Sequence, residues 1–146
     1  MKIITSFVYL LLLCGVFSVN AQSTQPGYKI SNLIHLEGDG GWDYLTVDAA
    51  NNRLFVSHST MVQVVDLQSR TLLATIADTK GVHGIALAAD LNKGFISCGK
   101  DTSVLVFDLT SYKVIERVKV TGLNPDAILY DPYKKIVFTF NGRSFL

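Results

Sequence analysis

The chain of 146 residues has the length of a single domain. Hydrophobic residues make up 49% of it and charged residues 17%, which is too apolar for an intrinsically disordered protein. The formal net charge is only +1 and the basic residues form no run, so the electrostatic pattern that nucleic acids select is missing and nucleic-acid binding is not favoured.

The first segment, residues 1–21, has the pattern of a secretory signal peptide. Lys2 supplies a positive start, an apolar run follows, and Val19-Asn20-Ala21 supplies small or modest side chains for cleavage before Gln22. Because Lys2 leaves with this segment, 12 basic and 12 acidic residues remain. We therefore expect residues 22–146 to be an exported neutral domain, either periplasmic or extracellular.

Two alternatives to simple cleavage are a membrane anchor and a lipid anchor. The apolar run is shorter than the roughly 20 residues that a spanning helix needs, which disfavours retention in a membrane. Lipid attachment at Cys14 would require a small residue where the bulky Leu13 stands. Cleavage leaves Cys98 as the only cysteine, which precludes an intrachain disulfide, and its place after an apolar run predicts a half-buried thiol.

The next segment, residues 28–37, is predicted to be a single strand. Its centre, Ile30-Ser31-Asn32-Leu33-Ile34, resembles Leu72-Leu73-Ala74-Thr75-Ile76, which lies in the fourth strand of the unit that follows. This strand would complete a blade that the chain does not itself contain.

An internal repeat accounts for the remainder of the chain. The segment that begins Gly41-Trp42-Asp43 recurs forty positions later as Gly81-Val82-His83, and a third copy opens at Asn124. Two extra residues enter the second copy near Lys100 and Asp101. A period of this length suits units of four short strands. The predicted units are residues 41–80, residues 81–123 and a partial unit of residues 124–146.

Each unit is predicted to be a four-stranded antiparallel sheet. Runs rich in Val, Ile, Leu and Phe alternate with turn residues, and no segment keeps a helical spacing over ten residues. The predicted strands are 44–47, 54–57, 62–66 and 71–76 in the first unit and 85–87, 94–97, 104–108 and 114–120 in the second. Consecutive short antiparallel strands at this period indicate an all-β fold, a β-propeller.

The units resemble the YVTN-type repeats of the YncE-like β-propeller family. The motif of an aromatic residue followed by Val-Thr-Asn corresponds to Phe55-Val56-Ser57-His58, with His58 in place of the Asn. The Val-x-Val-Ile-Asp motif corresponds to Val62-Gln63-Val64-Val65-Asp66. The resemblance covers about residues 28–146 and implies seven blades, of which about two and a half are present. It therefore implies the N-terminal portion of a longer propeller and no particular reaction.

The best candidate site is the position that opens the innermost strand of each unit. That position holds Asp43, His83 and Asp126, with Trp42 beside the first. Two carboxylates and an imidazole at the mouth of a propeller channel could bind a ligand or polarise it. The alternative is that these polar residues bond the backbone of tight turns, which is the commoner role of polar loop residues, and that Trp42 packs between blades.

Other polar residues give weaker signals. Asp66 and Asp108 recur at strand ends, where a carboxylate accepts hydrogen bonds from the next turn, so a structural role is expected. The three histidines have no short metal-ligand spacing, so neither a metal site nor a catalytic residue is assigned, and any cofactor is unknown.

We therefore expect a non-enzymatic scaffold that binds a small molecule, a glycan or a protein. The alternative is a lactonase-like hydrolase or lyase that uses the Asp/His cluster with a divalent metal. The chain is also expected to be unstable or to self-associate, because the uncharged run Ile136-Val137-Phe138-Thr139-Phe140 would lie on an unpaired edge.

Overall fold

The computed structural model describes residues 27–143. The predicted signal peptide, Cys14 and the last three residues lie outside the described part. Residues 27–33 and residues 34–143 belong to two separate units. Residues 27–38 form neither helix nor strand. The strand predicted for residues 28–37 would pair with a blade outside this chain, so its role in completing a blade stays a prediction. Within the described range, no helix has the length and apolar character needed to cross a lipid bilayer.

Ten strands form three antiparallel sheets whose order follows the chain. The strands are β1 (Trp42–Asp48), β2 (Arg53–His58), β3 (Met61–Asp66), β4 (Leu72–Ile76), β5 (Val82–Ala88), β6 (Lys93–Cys98), β7 (Ser103–Asp108), β8 (Val114–Lys119), β9 (Pro125–Asp131) and β10 (Ile136–Asn141). The sheet orders are β1-β2-β3-β4, β5-β6-β7-β8 and β9-β10. Two four-stranded blades and one two-stranded sheet are therefore present, and the predicted all-β partial propeller is confirmed.

The two extra residues of the second unit lie between β6 and β7. There the chain makes a single 3₁₀ turn, Gly99–Asp101, followed by Thr102 in the left-handed region at φ 53°. At the equivalent place in the first unit, only two residues separate β2 from β3, and Ser59 takes the left-handed conformation at φ 54°. The longer turn carries Lys100 and gives the second blade a feature that the first lacks.

The repeated aspartates hold the turns between the third and fourth strands. Asp66 Oδ1 accepts hydrogen bonds from the backbone N–H groups of Gln68 and Ser69 at 2.9 and 2.6 Å. Asp108 Oδ1 accepts from the N–H groups two and three residues later at 3.0 and 2.7 Å, as well as from a serine hydroxyl. These bonds lower the pKa of both carboxyl groups. The turn role predicted for Asp66 and Asp108 is confirmed.

A serine in the second strand fastens a bulge in the innermost strand of each complete blade. The register of β1 against β2 shifts between Trp42 and Leu45, and that of β5 against β6 shifts at the equivalent place. Ser57 Oγ accepts from Tyr44 N at 2.5 Å, and Ser97 Oγ accepts from Gly84 N at 2.8 Å. Since the ladder cannot satisfy these N–H groups at a bulge, the serine hydroxyl takes its place.

The main core lies between the first two blades. Side chains from both sheets form one buried cluster, and the Phe55 and Phe107 rings meet at 5.8 Å between centroids. Each such fully buried side chain contributes about 1.5–3 kcal/mol of transfer free energy. A smaller cluster around Ala86 and Tyr130 joins the second blade to the third sheet. Strand β5 consequently packs against both β1 and β9, which brings the three innermost strands side by side.

Candidate functional site: the mouth of the innermost strands

The innermost strands begin at equivalent places in the three sheets. Asp43, His83 and Asp126 are each the second residue of their strand, in β1, β5 and β9 respectively. Because β5 packs between β1 and β9, the three positions open neighbouring strands. The repeat alignment therefore located one structural position correctly. Whether Trp42, Asp43, His83 and Asp126 bind a ligand stays a prediction.

Asp43 and His83 form a hydrogen-bonded pair that joins the first two blades. His83 Nδ1 donates to Asp43 Oδ2 at 2.5 Å, and both side chains are partly exposed. A carboxylate can only accept, so the proton of the imidazole lies on Nδ1. In the neutral ring this leaves Nε2 as an acceptor, and in the protonated ring both nitrogens are donors. The pair can therefore offer a ligand either a base or a cation.

Asp126 forms no hydrogen bond with the side chains of that pair. Its backbone oxygen accepts a hydrogen bond from Ser97 Oγ, which ties β9 to the second blade. Its carboxylate lies beside Gly142 and has no hydrogen bond or ion pair to any described side chain. No three His, Cys, Asp or Glu side chains within residues 27–143 are grouped so that they could hold a metal ion. The structure therefore pairs two of the three candidates and leaves the third separate.

Trp42 stacks on a histidine of its own blade. Its ring lies 3.7 Å from that of His58, at an interplanar angle of 16°, although Trp42 is 52% exposed. The aromatic contact of Trp42 therefore lies within its own blade, whereas the sequence alternative was packing between blades. One face of the indole is occupied by His58, so ligand stacking could use only the other face.

His58 anchors a buried polar arrangement that sequence reasoning did not identify. Its Nδ1 is 3.2 Å from Gln63 Oε1, and Gln63 Nε2 donates to the backbone oxygen of Glu37 at 2.9 Å. His58 Nε2 has no partner within the described chain. The same repeat position holds Asn141 in the third sheet, whose Oδ1 is also buried without a partner. In the sequence, the only indication of this site was that His58 stands where the repeat motif has an Asn.

A cavity of about 540 Å³ adjoins His83 between the second blade and the third sheet. Its lining comprises Gly81, His83, Gly99, Lys100, Thr102, Leu123, Asn124 and Arg143. A Cβ atom built on Gly99 would lie 2.8 Å from His83 Nε2 and 2.4 Å from Asn124 Oδ1. The missing side chain of Gly99 therefore allows His83 Nε2 to approach this wall of the cavity closely. Sequence reasoning found His83 and noted the insertion at Lys100, but it missed Asn124 and Arg143.

Cys98 has no features of a nucleophile. The thiol is fully buried in the core between the first two blades, and burial raises its pKa to about 11. The thiol therefore stays protonated at neutral pH. The sequence predicted a half-buried thiol, whereas the structure buries Cys98 fully among apolar side chains of the core.

The comparisons with known proteins identify the fold and no family. No family model matches the chain, and no curated protein does. Among solved structures, the chain is similar to Kuenenia stuttgartiensis hydrazine synthase, at 23% identity and a TM-score of 0.65, over 79% of this chain and 33% of that one.

Two further solved structures show the same likeness. The Cps50 (Swd1) β-propeller domain of Myceliophteria thermophila is 15% identical, with a TM-score of 0.59, over 70% of this chain and 32% of that one. Apo AztD from Citrobacter koseri is 17% identical, with a TM-score of 0.54, over 72% of this chain and 28% of that one. The chain thus spans about a third of the length of the structures it matches, and its fold is that of part of a β-propeller.

Proposed function

We propose that the chain is an exported, YncE-like β-propeller scaffold of YVTN-type repeats that binds a small molecule, a glycan or a protein at the mouth of its innermost strands. The secretory pattern of residues 1–21 supports export, and the two motifs of the repeat support the family. Because a fold alone does not determine a function, the binding role depends on the mouth itself.

The observation that carries this proposal is the Asp43–His83 pair. Polar side chains that only stabilise a turn bond to the backbone of the same turn, as Asp66 does. His83 instead bonds to a carboxylate forty residues away in the neighbouring blade, and its other ring nitrogen adjoins a cavity large enough for a small ligand. A partly exposed, oriented imidazole at a cavity is suited to recognition.

A screen of glycans, peptides and small metabolites would test the proposal, with the ring signals of the histidines followed by NMR. We expect a binder to shift the His83 signals and His83→Ala to weaken its binding by roughly ten- to hundredfold, since a lost hydrogen bond to a charged group costs about 1.5–3 kcal/mol. His35→Ala removes an exposed histidine outside the mouth and serves as the control. Binders that leave His83 unperturbed would place recognition elsewhere and refute the proposal.

A hydrolase or lyase is the second candidate, and the same pair favours it. A histidine that donates through Nδ1 to a carboxylate presents Nε2 as a general base. The residues present do not fit a divalent metal, because the described part of the chain has no group of three possible ligands. This candidate therefore rests on the imidazole alone. Loss of lactone hydrolysis in both His83→Ala and Asp43→Asn, with ligand binding retained in Asp43→Asn, would favour it over the scaffold.

A further inference from the structure

The cavity beside His83 carries positive charge that no side chain among residues 27–143 neutralises. Lys100 and Arg143 both line it, and neither has an acidic partner within ion-pair distance in the described chain. Cations that join the blades elsewhere are paired: Arg53 with Asp48, Arg117 with Asp101 and Lys135 with Asp90. The two cations at the cavity therefore differ from those that serve the structure.

Neutral donors complete the lining. Asn124 lies at the wall, held in the left-handed region at φ 56°, and Thr102 contributes a hydroxyl. The side chains of Asn124 and Thr102 make no hydrogen bond to another described residue, so their polar groups are available to a ligand. Among the described residues that line the cavity, none has a carboxylate side chain; Asp43 is bonded to His83, and Asp126 is not one of the lining residues.

We infer that this cavity binds a small organic anion through its carboxylate or phosphate group. A guanidinium group matches either anion with two parallel hydrogen bonds, and an ammonium group adds a compact charge. His83 Nε2 would donate to the anion when the ring is protonated, and Asp43 would hold the ring in place. The inference rests on the proposed function, because it names the class of ligand for the same mouth.

Isothermal titration of the protein expressed from the full sequence, with inorganic phosphate and with citrate as probes, tests the inference. The two probes distinguish a phosphate site from a carboxylate site. We expect one of them to bind and to shift the His83 ring signals. Lys100→Gln and Arg143→Gln should each weaken that binding about tenfold. Lys113→Gln, which removes a lysine from the turn before β8, away from the cavity, should leave it unchanged.

The outcomes separate this inference from the proposed function. If neither anion binds but neutral maltotriose shifts the His83 signals, the inference is wrong and the proposed function stands. If Lys113→Gln weakens binding of the anion as much as Lys100→Gln does, the attraction is a general charge effect and the inference is also wrong. If no probe or library compound perturbs His83, both fail. Circular dichroism of each variant identifies any loss that comes from unfolding.

Discussion

At the scale of single residues, Arg53 shows how one side chain joins two blades. Its guanidinium group donates to Asp48 at 2.5 and 3.0 Å within the first blade, and to the backbone oxygen of Leu109 at 2.6 Å and the Tyr112 hydroxyl at 3.1 Å in the second. Arg53 and Asp48 are both largely buried. A buried ion pair stabilises only when its remaining hydrogen bonds are made, and the contacts to Leu109 and Tyr112 meet that condition.

The Asp48–Arg53 pair predicts a pH dependence of stability. Burial by itself raises the pKa of Asp48, but hydrogen bonds from Arg53 and Asn51 outweigh it and hold the pKa below its ordinary value. Because the folded pKa is depressed, the stabilisation is present above the unfolded value of about 3.9 and is lost as the pH falls through the folded value. We expect Asp48→Asn to lower the free energy of unfolding by about 1–3 kcal/mol at pH 7. In this variant the free energy of unfolding should also decrease less as the pH is lowered.

Denaturant unfolding at a series of pH values between neutral and strongly acid checks this prediction. Asp39→Asn, which removes an exposed carboxylate with no partner among residues 27–143, is the matched control and should change little. Equal pH slopes for Asp48→Asn and the unaltered protein would show that the pair does not couple folding to protonation.

At the scale of elements, the sequence predicted the strands and missed what distinguishes the blades. Repeats with alternating apolar runs and turn residues predicted β1 to β8 to within a few residues, because period and turn chemistry are local properties. The bulges beside Ser57 and Ser97 depend on cross-strand register, which no local pattern contains. The cavity was not predicted either, because it forms only where the third sheet packs on the second blade. The alignment of Asp43 with His83 predicted their equivalence, but their hydrogen bond required the neighbouring blades to be placed.

One such cross-strand difference concerns Gly94. In the first blade the equivalent pair is Leu54 opposite Val65, whereas in the second blade Gly94 lies opposite Phe107. A Cβ atom built on Gly94 would lie 2.1 Å from Phe107 Cζ, so the ring occupies the space of the missing side chain. We expect Gly94→Ala to destabilise the fold by about 1–3 kcal/mol, the usual cost of overpacking.

The variant Phe107→Leu tests this cause directly, since leucine lacks the ring atoms that approach Gly94. The double variant Gly94→Ala/Phe107→Leu should be less destabilised than the sum of the two single variants, as a double-mutant cycle of denaturant unfolding would measure. Strict additivity would mean that the ring and residue 94 do not compete for space.

At the scale of the whole molecule, the edge strands β8 and β10 are of comparable apolarity but differ in charge. Strand β8 exposes Val114 and Ile115, and it also carries Glu116, Arg117 and Lys119. Such charges on an edge strand oppose pairing with another chain. Strand β10 exposes Phe138 by 44% and Phe140 by 63%, carries no charge, and pairs only with β9 within the described residues. The two edges therefore differ in their capacity to recruit a second molecule.

We accordingly expect the purified polypeptide of residues 22–146 to self-associate through β10. An uncharged, β-prone apolar edge is a template for intermolecular strand pairing, and association there would also bury the two phenylalanine rings. Phe138→Thr/Phe140→Thr should reduce the mass measured by light scattering, whereas Val114→Thr/Ile115→Thr, the equivalent change on the charged edge, should leave it unchanged. Thermal melts of the unaltered polypeptide should be broad and dependent on concentration, since unfolding would be linked to dissociation. A monodisperse monomer with a sharp, reversible melt would contradict this prediction, because it would require the β10 edge to be protected within one molecule.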